Sequence, residues 1–147
     1  MVLRTYEGLK KFQQMLKTAT LWYQRPGNSG NIQLLHLRGV ALYKTGNSAM
    51  ALRHFQMVLR SSPDYTLSQN MFRLIKKMDR AKASGTSEFK ARKYQEAVDA
   101  YTTALECDPD NKIFNAAVAS NRAAAYMKMK KYKDLLQSTR CRIDFLS

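Results

Sequence analysis

A shift that lays Pro63 over Pro109 also lays Gly39 over Gly85, Ala51 over Ala97, Phe55 over Tyr101 and Val58 over Ala104. In both copies the glycine precedes the alanine by twelve residues and the proline follows it by twelve. Such self-similarity constrains the fold more than any single motif, because it makes one supersecondary unit recur. Small residues let two antiparallel helices approach closely, an aromatic fills the space beside them, and proline stops the second helix. One helix pair cannot bury its apolar face alone, so neighbouring pairs must stack.

The punctuation between these landmarks predicts helices throughout. Leu9, Phe12, Leu16, Ala19 and Tyr23 recur at helical spacing between about Leu3 and Gln24. Pro26-Gly27-Asn28-Ser29-Gly30 then breaks the pattern, since proline disfavours helix while Gly and Asn accept turn dihedrals. A second helix begins near Asn31, buries Leu34, Leu35, Ala41 and Leu42, and stops at Thr45-Gly46-Asn47. A third, Ala49 to Arg60, turns Ala51, Leu52, Phe55, Val58 and Leu59 inward until Ser61-Ser62-Pro63-Asp64 ends it. Their short connection makes these two helices antiparallel neighbours. The pattern from about Leu67 to Lys90, interrupted only by Gly85, reads either as one extended helix or as two joined by a slight bend. A helix from about Gln95 to Cys107 faces Ala97, Tyr101, Ala104 and Leu105 inward and closes at Asp108-Pro109-Asp110-Asn111. The last two helices are expected over about Phe114 to Lys128 and Tyr132 to Ile143.

The order glycine, alanine, aromatic, alanine, proline resembles the tetratricopeptide repeat, about 34 residues long. That resemblance implies an all-α fold in which tetratricopeptide repeat helical hairpins stack as a short right-handed solenoid. On this template one unit covers Ile32 to Tyr65 and another Met78 to Asn111. A third begins near Ala116, with Ala123 at the first small-residue place and Tyr126 as the aromatic beside it. Its second half departs from the pattern: Leu135, Thr139 and Arg142 stand where alanine, an aromatic and alanine are usual. The helix before Pro26 fits the second helix of a preceding unit. The expected organisation is residues 1–65 as N-terminal helix plus first unit, 66–77 as helical linker, and 78–147 as second unit and divergent third.

The runs GTSEFKARKYQEAVDAYTTAL and SNRAAAYMKMKKY are similar to co-chaperones of this family. Such proteins hold the acidic C-terminal tails of Hsp70 and Hsp90 in a two-carboxylate clamp, and some carry a J domain that acts through His-Pro-Asp, a motif this sequence lacks. The resemblance assigns Lys82 to the clamp lysine, Thr86 to the place of its asparagine and Asn121, in Ser120-Asn121-Arg122-Ala123-Ala124, to the second asparagine. Ammonium, hydroxyl and amide donors suit a carboxylate, which only accepts hydrogen bonds. Threonine lacks the reach and the two donors of an amide. The helix that would supply the remaining basic pair is not expected before Ser147, so the implied clamp is partial. The residues themselves leave a plainer alternative open, in which Asn121 crosslinks adjacent helices and Lys82 is one of many solvated lysines.

Lys and Arg number 25 against 11 Asp and Glu, a formal net charge of +14. This charge attracts any polyanion or acidic peptide without choosing among them. It leaves a basic nucleic-acid-binding or structural assembly module as the alternative to a protein-binding scaffold, through Lys76, Lys77, Arg80, Lys82, Lys90, Arg92, Lys93, Lys128, Lys130, Lys131 and Lys133. No zinc finger, phosphate loop or aromatic RNA-binding motif accompanies those cations. Neither His36 nor His54 has an evident acid, base or nucleophile partner, so no enzyme, metal or cofactor is expected. Met50, Met57, Met71, Met78, Met127 and Met129 read as core or groove filler. Cys107 and Cys141 are too few for a disulfide framework, and no apolar run is long enough to span a membrane. The lysine-bearing opening does not read as a signal peptide, so a cytoplasmic location, with the nucleus as a second possibility, is expected. Apolar faces at uncapped repeat ends allow self-association.

Overall fold

The computed structural model describes residues 2–146, and side chains for residues 7–140. Among the described residues there are helices and no strands: α1 Val2–Tyr23, α2 Ile32–Lys44, α3 Ser48–Ser61, α4 Thr66–Lys90, α5 Tyr94–Cys107 and α6 Lys112–Leu146. This is the all-α helical-repeat architecture that the recurring glycines, alanines and prolines predict. The chain gathers into two compact units, residues 1–77 with 110–114, and residues 78–109 with 115–147.

In the first unit α2 packs against both α1 and α3. Asparagines start the helices: Asn31 Oδ1 accepts from the Leu34 amide at 3.0 Å and Asn47 Oδ1 from the Met50 amide at 3.2 Å. Each satisfies an amide that the first helical turn leaves without a carbonyl. Between α2 and α3 the chain reverses at Gly46, whose φ of 93° suits a residue without Cβ. There the Asn47 amide returns to the Leu42 carbonyl and the Gly46 amide to the Tyr43 carbonyl, at 2.8 and 3.2 Å. The core holds Leu35, Ala41, Tyr43, Ala51, Phe55, Val58 and Ile75, each large apolar side chain contributing about 1.5–3 kcal/mol on burial. Gly39 explains the close approach of α2 and α3, because a Cβ there would lie 2.7 Å from Phe55 Cε1.

The two histidines serve this core. His36 Nδ1 lies 2.8 Å from Ser68 Oγ, and its ring sits against Phe55 and Tyr65 with centroids 5.5 and 5.4 Å away. His54 is buried, and its Nδ1 donates to the Met50 carbonyl at 2.9 Å. Burial lowers the pKa of both rings; for His54 the Met50 hydrogen bond opposes that shift and the nearby Arg38 charge adds to it.

The second unit repeats the same devices with different residues. A Cβ at Gly85 would meet Tyr101 Cδ1 and Cε1 at 2.6 Å, as Gly39 would meet Phe55. The turn from α4 to α5 reproduces the first one: the Lys93 amide reaches the Glu88 carbonyl at 2.9 Å and the Arg92 amide the Phe89 carbonyl at 3.1 Å. Here the left-handed position belongs to Arg92, φ 61°, which costs about 1–2 kcal/mol relative to a favourable backbone. Met78, Ala97, Val98, Tyr101, Ala104, Val118 and Ala125 form the core.

Gly85 lies inside one uninterrupted helix, α4, so the extended-helix alternative is the one observed. The expected split of the last segment into helices over Phe114–Lys128 and Tyr132–Ile143 is not: α6 runs 35 residues without a break. Neither glycine nor proline occurs from Lys112 to Leu146, so nothing local forces a turn. A returning helix would also present Leu135 and Thr139 where α5 presents Ala97 and Tyr101, and would not repay the strain of a reversal. As a result Ala123 and Tyr126, expected beside a returning helix, are exposed. Of the methionines expected in core or groove, Met78 is fully buried, whereas Met50, Met57 and Met127 are exposed. Cys107 is a free thiol; the side chains of Cys141 and Arg142 lie outside the described residues.

Candidate peptide-binding site

The three residues singled out from sequence all belong to the second unit, Lys82 and Thr86 on α4 and Asn121 on α6. All three are half-buried. Lys82 and Thr86 are one helical turn apart and share a face. The Thr86 hydroxyl donates to the Lys82 carbonyl at 3.0 Å and lies 3.3 Å from the Tyr101 hydroxyl. A threonine has one hydroxyl proton. While that proton rests on the backbone, Thr86 can accept from Tyr101 but offers no donor to a carboxylate.

The sequence pattern missed the part played by Tyr101. Its ring fills the space beside Gly85, and its hydroxyl reaches the polar edge of α4 next to the candidate lysine. The corresponding ring in the first unit is Phe55, which has no hydroxyl; that difference is the signal in the sequence. Asn121 makes no hydrogen bond to Lys82 or Thr86 among the described residues. Its neighbour Arg122 bridges α6 to α5 by donating from Nη1 to Thr102 Oγ1 at 3.2 Å.

No His, Cys, Asp or Glu cluster among the described residues could hold a metal ion, and no helix there is long and apolar enough to cross a membrane. The arrangement offers hydrogen-bond donors and a positive charge on packed helices, which is the chemistry of holding an anionic group.

No protein-family model and no solved structure matches the chain. Among curated proteins it is 35% identical over 112 residues to the DnaJ homolog subfamily C member 7 homolog of Schizosaccharomyces pombe, covering 76% of this chain and 24% of that protein. It is 33% identical over 128 residues to the Dictyostelium discoideum homolog of the same protein, covering 87% of this chain and 23% of that one. With DnaJ homolog subfamily C member 7 of Homo sapiens it shares 32% identity over 110 residues, 75% of this chain and 22% of the human protein. The chain thus spans about a quarter of the length of these relatives.

Proposed function

Because the chain is a tetratricopeptide-like repeat protein related to DnaJ homolog subfamily C member 7, we propose that it is a co-chaperone-like scaffold whose second unit binds the acidic C-terminal tails of Hsp70 or Hsp90. The observation that carries this reading is the pair Lys82 and Asn121, half-buried on α4 and α6 and matching the two family motifs that hold a tail carboxylate. Lys82 supplies the charge and Asn121 an amide donor to the terminal carboxylate. Thr86 joins only by releasing its bond to the Lys82 carbonyl, so binding is weaker than a full set of donors would give. The work done is binding, and no residue in this reading has a catalytic role.

Isothermal calorimetry with a peptide ending in Glu-Glu-Val-Asp tests this directly. A measurable heat is expected, and Lys82→Ala should weaken binding by about tenfold, the equivalent of one charge-assisted hydrogen bond. Amidating the peptide's terminus should weaken it comparably. No heat at high protein concentration, or equal affinity in Lys82→Ala, would reject tail recognition at this site.

A further inference from the structure

Within the second unit a groove of about 750 Å³ lies between the α4–α5 turn and the distal half of α6. Tyr94, Tyr132 and Leu135 give it apolar surface, and Arg92, Lys128 and Lys131 place cations around that surface. Tyr132 and Leu135 are 56% and 64% exposed, whereas Val118 and Ala125 on the same helix are fully buried. Every described residue of α6 from Lys130 to Arg140 is exposed. We propose that this groove is a docking site for an acidic amphipathic helix of a partner protein.

Three observations select that occupant. The fold itself sets the shape: α2 has α3 packed along it, and α4 turns back into α5, whereas α6 continues unbroken and leaves its distal face without a companion helix among the described residues. Lys128, Lys131, Tyr132, Leu135 and Ser138 follow one stripe of α6, about 15 Å long at 1.5 Å per residue. A helix of about three turns laid along this ridge buries Tyr132 and Leu135 as a returning helix would have done. Charge then sets the sign. The groove carries three cations and a single carboxylate, Asp134, on a chain of net charge +14. A second copy of this chain would bring like charge to like charge, and an acidic helix would not. Apolar side chains at the centre also favour a helix with a leucine-type face over a nucleic-acid backbone, which offers phosphates but nothing to cover Leu135.

This site is separate from Lys82 and Asn121 and does not depend on tail recognition by them. The test uses the whole chain and a fluorescent synthetic helix of roughly 18 residues, with leucines at i, i+3, i+4 and i+7 and glutamates along their flanks. Anisotropy titration should show saturable binding that a scrambled peptide of the same composition reproduces about tenfold more weakly. Lys128→Glu with Lys131→Glu, and separately Leu135→Asp, should each weaken binding by about tenfold or more. These side chains are on the surface, so unchanged circular dichroism is expected in both variants. Lys10→Glu with Lys17→Glu, the same charge change on α1, should have less than about a threefold effect. Equal binding of the scrambled peptide or of a single-stranded oligonucleotide of equal charge, or no loss in Leu135→Asp, would overturn the proposal. Sedimentation showing a dimer that Leu135→Asp dissociates would overturn it in favour of a second copy.

Discussion

Substituting Gly39 by alanine tests the packing logic of the repeat. A Cβ at this position falls 2.7 Å from Phe55 Cε1, 2.9 Å from Cζ and 3.1 Å from Cδ1. Carbon atoms prefer separations of about 3.5–4.0 Å, so three ring atoms are overlapped at once. The ring is completely buried and sits against His36, which leaves it little room to swing aside. Overpacking of this kind costs about 1–3 kcal/mol, while alanine in place of glycine within a helix returns about 1 kcal/mol. The net expectation is destabilisation of about 0–2 kcal/mol. Gly8→Ala separates the two effects. It lies in α1 of the same unit, its Cβ would meet nothing within 4 Å, and it should stabilise by about 0.5–1 kcal/mol. The difference between the two variants, about 1–3 kcal/mol, is the packing cost alone. Urea unfolding followed by far-ultraviolet circular dichroism measures it, provided the m-values agree. On a Phe55→Leu background Gly39→Ala should lose most of its penalty, a coupling that a double-mutant cycle detects. If Gly39→Ala stabilises the protein as much as Gly8→Ala does, close approach over Phe55 is not what the glycine provides.

Arg92→Gly should stabilise the second unit by about 1 kcal/mol, read from urea midpoints, because glycine adopts the left-handed backbone that arginine resists. Gly46→Ala should do the reverse in the first unit, since its φ is 93° and a Cβ would lie 3.0 Å from Ile113 Cγ2. Asn111→Ala should cost about 1–2 kcal/mol in the same measurement, as Asn111 is 2% exposed and accepts from the Phe114 amide at 3.1 Å to start α6. Acidification should destabilise the first unit: His36 and His54 have pKa values below 6.5 when folded, so between those values and 6.5 the unfolded chain binds more protons. This contribution is complete above about pH 6.5 and is lost as the pH falls through the lowered native values. Urea midpoints at about pH 7.5 and pH 5.5 should differ less in a His36→Asn, His54→Gln variant.

The helical repeat was legible because its signals are local and recur. Asparagine before an apolar turn, glycine at a reversal and proline after a helix each act within a few residues, and the coincidence of Gly39, Ala51 and Pro63 with Gly85, Ala97 and Pro109 made the unit visible. The candidate site was legible only as positions. Lys82, Thr86 and Asn121 could be read off motifs, but the proton of Thr86 is committed by its distance to the Lys82 carbonyl, and the Tyr101 hydroxyl arrives from another helix.

Sequence alone determined that this chain is helical, where most helices begin, and that two glycines carry two aromatic rings. Whether a helix turns back was decided by tertiary packing. At Arg92 the chain reverses through an unfavourable backbone because α5 can dock through Ala97, Tyr101 and Ala104. Near Lys130 the sequence permits a similar reversal, yet Leu135 and Thr139 offer no matching face, and α6 runs on unbroken. The cost of a turn is local, the energy that repays it comes from surfaces brought together across the chain, and only the folded structure contains both.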